Sequence, residues 1–338
     1  MNHAPIAALV VGAGLMGRWH AHAIKTSGGT VIGVVDTDVA RAALLAADCR
    51  HAPVFGDLDL ALQATTPTVV HVCTPLSTHR ALIEAALRAD CHVIAEKPLA
   101  ATAADTEALC ALAAARGRYL VPVHQFPFQQ GIRDLLARRD ELGTMVHVDI
   151  TIASAGAVGS RDADEVAAEI LPHCLSLTRA LLAGPTPSPP LDGLPWQVTR
   201  ARAGEWRLTA DAGGTSIAYL ISMSARPTCA ELRLLGTTAT ATADLFHGYA
   251  VIDTGPMSRA SKAVRPFRVA ARSMMAASAN LAQRGLRAEA AYPGLQGLVD
   301  RAYLAFAGRG AVPISADALV DVARTRDRLI MLSGWPVP

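Results

Sequence analysis

The chain has 338 residues, 51% of them hydrophobic and 18% charged, with a formal net charge of +2. That length suits two domains with a large core, and the near-balanced charge points to no nucleic acid or other charged partner. No apolar run is long enough to span a bilayer, the first strand-like run leaves no room for a signal peptide, and the six scattered cysteines include no C-x-x-C pair. These features exclude a membrane span, a zinc site and a disulfide framework, and the expectation is a cytoplasmic, reduced protein with no bound metal.

Residues 6–11 are a continuous apolar run, the pattern of a strand buried on both faces. They lead into Gly12-Ala13-Gly14-Leu15-Met16-Gly17; residues 15–24 then read as a helix and 30–35 as a second strand closed by Asp36. This is the dinucleotide-binding fingerprint in its required setting. Gly12 allows the tight turn, Gly14 lets the backbone approach a pyrophosphate, and Gly17 lets helix and strand pack closely. The helix start offers free N–H groups and partial positive charge to phosphates. A carboxylate at Asp36 accepts hydrogen bonds from the adenine-ribose hydroxyls and repels a 2′-phosphate, so NAD is the expected cofactor, with NADP the alternative. Asp36 is also placed to cap a helix over 37–47.

The alternation continues with strands over 52–55, 68–73, 91–95 and 119–123, separated by helices over 58–63, 77–89 and from 102 or 105 to about 116. Such spacing means a doubly wound, mostly parallel sheet, whose ligands sit beyond the carboxyl ends of its strands. Those ends carry the glycine turn, Asp36, Cys73-Thr74-Pro75, Glu96-Lys97-Pro98 and His124-Gln125. Only Lys25, Lys97 and Lys262 are lysines; every other cation is arginine. Only lysine can lose its proton near neutral pH, so Lys97 at a strand end stands out as a base. The plainer reading is a surface lysine paired with Glu84 or Glu96.

After Gln125 the pattern changes. A helix over 132–138 and a strand over 145–152 precede a glycine- and acid-rich loop over 156–165, a helix over 170–182 and a proline-rich connection over 184–195. Strand-like runs over 196–202, 215–224, 228–235 and 239–244 then predict a second, mostly antiparallel sheet, followed by helices over 295–308 and 316–332. The expected division is 1–125 for the dinucleotide and 126–338 for substrate and oligomer contacts, the last helices being free to pack back on the first domain. Residues 255–288 contain no acid. With Pro266 in a first turn, Phe267, Ala270, Ala271, Met274, Met275, Ser278 and Leu281 fall on one side. An insertion packed on its own domain or a partner subunit, with a solvated basic face, is the expectation; a lid over an anionic substrate or a membrane-surface contact is the alternative.

The glycine turn, Cys73-Thr74-Pro75-Leu76-Ser77-Thr78-His79, His92-Val93-Ile94-Ala95-Glu96-Lys97-Pro98 and Gly143-Thr144-Met145-Val146 together resemble the glucose-fructose oxidoreductase / inositol dehydrogenase / rhizopine-catabolism (Gfo/Idh/MocA) family over residues 5–150. The resemblance implies a Rossmann domain followed by an open-sheet α/β domain whose sheet face makes oligomer contacts, hence a homodimer or homotetramer. It implies NAD(P)-dependent oxidation of sugars, cyclitols or nucleotide sugars, with Lys97 beside the nicotinamide. Cys73, Thr74, Pro75, His79, Glu96 and Gln125 then join Gly12, Gly14, Leu15, Met16, Gly17, Asp36 and Thr37 around the cofactor. It also implies that Glu169 and His173 project into the active site, His173 as acid/base for the substrate hydroxyl. The chain departs from the family pattern in having Glu169 where Asp is commoner, Pro172 for a small residue, Ala167-Ala168 for glycines, and Gln125-Phe126-Pro127-Phe128 where an arginine is frequent.

The chemistry agrees with the resemblance. Oxidising an alcohol needs an acceptor for the hydride and a base whose pKa lies near the working pH. A partly desolvated lysine beside a cationic nicotinamide titrates in that range. Glu169 and His173, four apart at an expected helix start, share a face; a helix cap and a half-buried histidine are the plainer reading. Cys174, next to His173, faces elsewhere and is assigned to the core. The leading function is an NAD-dependent dehydrogenase of a polyol or sugar. An imine reductase and a non-catalytic NAD-binding regulator remain as alternatives.

Overall fold

The computed structural model describes residues 6–154, 161–184, 189–254, 259–289 and 291–335, without the side chains of 259–262. Positions 156–160 of the expected loop, 185–188 of the proline-rich connection and the start of the basic segment lie outside the described residues. The chain divides into two compact units: Met1–His124 with Leu295–Ala323, and Gln125–Gly294 with Arg324–Pro338.

In the first unit, strands β1 (Ala7–Val11), β2 (Thr30–Val35), β3 (Val54–Phe55), β4 (Val69–Val72), β5 (His92–Ala95) and β6 (Leu120–Pro122) alternate with helices α1 (Leu15–Thr26), α2 (Val39–Ala47), α3 (Leu58–Ala64), α4 (Leu76–Arg88) and α5 (Ala103–Ala115). The strands pair in parallel in the order β3-β2-β1-β4-β5-β6. Their apolar runs are buried on both faces: Leu9, Val70, Val72 and Val93 are fully enclosed, against Ile83, Leu87 and Leu109 from the helices. The order reverses between β1 and β4, which opens a crevice at their carboxyl ends. Asp38, not Asp36, caps α2, its side chain accepting from the Arg41 N–H; Asp36 is thereby left for other partners.

The second unit holds α6 (Gln130–Ala137), β7 (Met145–Ala153), α7 (Ala163–Leu182), β8 (Gln197–Arg202), β9 (Glu205–Ala212), β10 (Thr215–Ser222), β11 (Cys229–Gly236), β12 (Ala239–Asp244), β13 (Tyr249–Thr254) and α8 (Arg259–Leu286). The sheet order is β13-β12-β11-β7-β10-β9-β8, antiparallel throughout except for the parallel β7–β10 pair. The sequence reading had missed β9 and β13. β9 alternates Trp206, Leu208 and Ala210 inward with Arg207, Thr209 and Asp211 outward, and its charged half masked a strand of period two. Helix α7 starts at Ala163, not at 170. Asp162 caps it, and Asp164 and Glu165 lie in its first turn, where negative charge is favourable. Pro172 therefore sits inside the helix rather than in a first turn.

Helix α8 also begins ahead of Pro266 and runs through it. Its apolar face does not pack on its own domain, and its basic face is not fully solvated. Arg265, Arg268 and Arg272 turn in toward Asp253 on β13, at 2.8, 3.4 and 3.5 Å. Phe267, Met274 and Leu281 point outward, 78%, 68% and 71% exposed. Among the described residues, no helix is long and apolar enough to cross a membrane.

Two helices follow, α9 (Leu295–Phe306) and α10 (Ala316–Leu332). Helix α9 belongs to the first unit. Gly29 leaves room for its Tyr303, since a Cβ there would lie 2.8 Å from the Tyr303 ring. Phe306 stacks on His92, with centroids 4.3 Å apart and planes 5° apart, and His92 stacks in turn on Tyr119.

Candidate active site

In the first unit the residues singled out in the sequence gather at the carboxyl edge of the sheet. Gly12, at φ +96°, turns the chain out of β1, and a Cβ there would meet the Cys73 carbonyl oxygen at 2.8 Å. A Cβ at Gly17 would lie 1.9 Å from the Gly12 oxygen, so the close approach of helix and turn requires glycine. Gly14 is different: nothing lies within 4 Å of where its Cβ would be. It is the N-cap of α1 and supplies no side-chain cap to the first N–H groups, beside exposed Leu15 and half-buried Met16. An open cradle of unused donors at a helix N-terminus fits a pyrophosphate.

Asp36 is 8% exposed at the end of β2. It accepts from the N–H groups of Ala13 at 2.7 Å and Asp38 at 2.9 Å and from the Arg41 guanidinium at 2.9 Å. Burial alone would raise its pKa; Arg41 and the two backbone donors outweigh that and hold it below the usual carboxylate range. Arg41, remote in the sequence reading, is in fact its partner. Thr37, next along, is exposed.

Beyond β4, Pro75 is the N-cap of α4. The Thr74 hydroxyl accepts from Thr78 at 2.7 Å. The Cys73 thiol is pushed well up by burial and by the Glu96 charge. His79 is buried, with its ring nitrogens 2.8 Å from the carbonyl oxygens of Thr74 and Pro98. It therefore ties the loop after β4 to the turn after Lys97, and neither nitrogen is left to reach a cofactor.

Glu96 and half-buried Lys97 follow β5. One Glu96 oxygen accepts from His20, the other from the Lys97 N–H at 3.4 Å. Glu84 pairs with Arg80. After β6, His124 is buried and its Nδ1 has no hydrogen-bond partner; burial, with the charge of Lys97, pushes its pKa down to about 3. A lysine and a neutral imidazole thus share the end of β5 and β6.

In the second unit, Glu169 and His173 lie one turn apart in the middle of α7. Glu169 accepts from Arg161, whose pKa it raises, and its charge also reaches the buried Arg326 of α10. His173 stacks on Phe126 at 4.6 Å, with planes 19° apart. Gln125 opens this unit and is buried. Cys174 is enclosed, its thiol pushed up to about 12 by burial. The sequence reading missed Arg161, Arg326 and Phe126. Arginine is common in this chain, so only tertiary placement marks these two. No group of His, Cys, Asp or Glu among the described residues is arranged to hold a metal ion.

Comparison with known proteins adds to this geometry. Residues 6–124 match the model of the family described as "Oxidoreductase family, NAD-binding Rossmann fold" (GFO_IDH_MocA). Inositol 2-dehydrogenase 1 of Saccharopolyspora erythraea is 40% identical over 116 residues, covering 33% of this chain and 34% of that protein. UDP-N-acetylglucosamine 3-dehydrogenase of Acidithiobacillus ferrooxidans is 31% identical over 178 residues, 53% of this chain and 54% of that protein. The matches thus span about a third to a half of these curated relatives' length. In fold the likeness extends further: the solved structure of UDP-N-acetylglucosamine 3-dehydrogenase GnnA from Acidithiobacillus ferrooxidans has a TM-score of 0.74 at 19% identity, covering 98% of both chains.

Proposed function

We propose that the chain, whose residues 6–124 match the NAD-binding Rossmann model of the Gfo/Idh/MocA oxidoreductases, is an NAD-dependent dehydrogenase acting on a CH–OH group of a sugar, cyclitol or nucleotide sugar. The observation that carries this reading is the position of Lys97. It stands at the carboxyl end of β5, on the same sheet edge as the open, uncapped start of α1 and beside a neutral His124.

The uncapped N–H groups behind Gly14 hold the diphosphate, and Asp36 holds the adenine ribose. The ionised carboxylate repels a 2′-phosphate, which favours NAD over NADP. When bound, the nicotinamide accepts or donates the hydride. Lys97 Nζ takes the proton from the substrate hydroxyl during oxidation and returns it during reduction. Glu169, held by Arg161, binds a substrate hydroxyl or orients His173, and His173, braced by Phe126, serves as the second acid/base group. The stack on Phe126 fixes the plane of the imidazole, as proton transfer demands. A second copy of the chain, as homodimer or homotetramer, completes the proposed assembly.

The test is Lys97→Ala against a panel of polyols, sugars and nucleotide sugars. Production of NADH should fall by about a hundredfold or more, while NAD affinity, measured by fluorescence titration, changes little. Unchanged turnover would remove Lys97 from the chemistry. Binding of NAD without turnover of any substrate by the unaltered protein would favour the regulator reading.

A further inference from the structure

Four polar side chains of the first unit form a continuous chain that the proposed reaction leaves unexplained. His20 on α1 places Nε2 3.1 Å from Glu96 Oε1 and Nδ1 2.9 Å from His71 Nδ1. His71, in β4, places Nε2 2.9 Å from the Tyr303 hydroxyl on α9. Both imidazoles are fully enclosed and Tyr303 is 5% exposed. The rings of each pair lie edge to face, with planes 85° and 84° apart.

With Glu96 ionised and both rings neutral, the donors allow one arrangement. A carboxylate only accepts, so His20 Nε2 carries a hydrogen and donates to Glu96. In a neutral ring His20 Nδ1 is then an acceptor, so His71 Nδ1 carries the hydrogen between the two rings. Burial keeps His71 neutral, which makes its Nε2 an acceptor for the Tyr303 O–H. Burial in turn raises the tyrosine pKa far above its ordinary value, so its proton is retained. Every hydrogen bond points toward Glu96, and both tautomers are set by the carboxylate.

We propose that Tyr303, His71 and His20 form a one-way hydrogen-bond wire that holds the Glu96 carboxylate in place beside Lys97, making the three of them positioning residues for that lysine. The inference rests on reading Lys97 as the base. Protonating Glu96 reverses every bond of the wire: Glu96 donates to His20, His20 Nδ1 to His71, and His71 Nε2 to the tyrosine oxygen. That setting differs by a single proton and charges neither ring, but it forces the Tyr303 O–H to find another acceptor. The groups facing Glu96 are His20 from α1, the Cys73 thiol beyond β4 and the backbone N–H of its own neighbour Lys97, whose charge in turn reaches His124 beyond β6. A helix late in the chain is thereby tied to the carboxylate that precedes Lys97 in the sequence.

Two measurements test the wire without any substrate, so its failure is separable from failure of the dehydrogenase reading. In 15N-histidine-labelled protein near pH 7.5, His20 should be the Nε2–H tautomer and His71 the Nδ1–H tautomer. The opposite pair, or a cationic His20, would overturn the proposal. The second follows the Lys97 amine by NMR after 13C-methylation of the three lysines, assigned with Lys97→Arg. Glu96→Gln should lower its titration midpoint by about half a pH unit or more. Tyr303→Phe should shift it the same way by less, and should add nothing in the Glu96→Gln background. A folded Tyr303→Phe protein with an unshifted midpoint, or a shift that persists without Glu96, would show that the tyrosine only packs.

Discussion

Asp36 and Asp164 are built alike and are used differently. Each is a buried carboxylate, 8% and 1% exposed. Asp36 accepts from the N–H groups of Ala13 and Asp38 and from Arg41. Asp164 accepts from the Gly204 N–H at 2.8 Å, the Trp206 indole at 2.7 Å and Arg200 at 2.9 Å. Counting hydrogen bonds does not tell them apart. The difference lies in what surrounds them. Asp164 fastens the start of α7 to β8, β9 and the turn between them, against a fully buried Trp206. Asp36 stands beside a turn whose Gly14 leaves open space over an uncapped helix. A buried acid marks a binding site when polar backbone near it is left unfilled.

The comparison breaks most readily at Asp164. Asp164→Ala leaves a guanidinium, an indole N–H and a backbone N–H without their acceptor, and should cost about 3–5 kcal/mol in a denaturant titration. A loss below about 1 kcal/mol would erase the distinction drawn here. Acid is the next lever. His92 is held to about 4 and His124 to about 3, both chiefly by burial, and His71 also lies well below its ordinary value. In the unfolded chain these rings take up protons below about pH 6.5, while in the folded unit they stay neutral. The unfolded state therefore binds more protons, and stability falls as pH drops from about 6.5 toward 4, by up to about 1.4 kcal/mol per pH unit for each ring that stays neutral, in thermal or chemical unfolding. Asp36, held below its ordinary pKa, stays charged through this window, so NAD binding by the folded fraction should persist while stability declines.

Asp36→Ala should weaken NAD binding by about tenfold and narrow the NAD/NADP affinity ratio, at a smaller stability cost than Asp164→Ala. An unchanged ratio would remove Asp36 from cofactor selection. The smallest effect is expected away from both acids. Phe267→Ser on the outer face of α8 should change monomer stability by no more than about 0.5 kcal/mol, and a larger loss would show that this face is covered.

Much of the first unit was legible in the sequence because its signals are local. The glycine turn, the apolar strands and Asp36 lie within one strand-helix-strand unit, and steric need for Gly12 and Gly17 can be read from that order alone. The second unit was less legible. β9 carries Arg207, Thr209 and Asp211 on its outward positions, so its composition hid its period. The start of α7 was concealed because Asp164 reads as a loop acid until its partners on β8 and β9 are known. Glu169 and His173 were found as a pair, but Arg161, which holds the glutamate, and Phe126, which braces the histidine, carry no local signature.

By itself, the sequence determined the parallel sheet, the edge that carries the glycine turn and Lys97, and which sides of most helices are apolar. These follow from periodicity and from steric limits within a few residues. Only the tertiary structure decided which polar groups meet: Arg41 with Asp36, His20 and His71 with Tyr303, and the arginines of α8 with Asp253, turning that helix's apolar face outward. Burial leaves a period that neighbouring residues reveal, whereas the partner of a buried charge or imidazole is set by how distant elements stack.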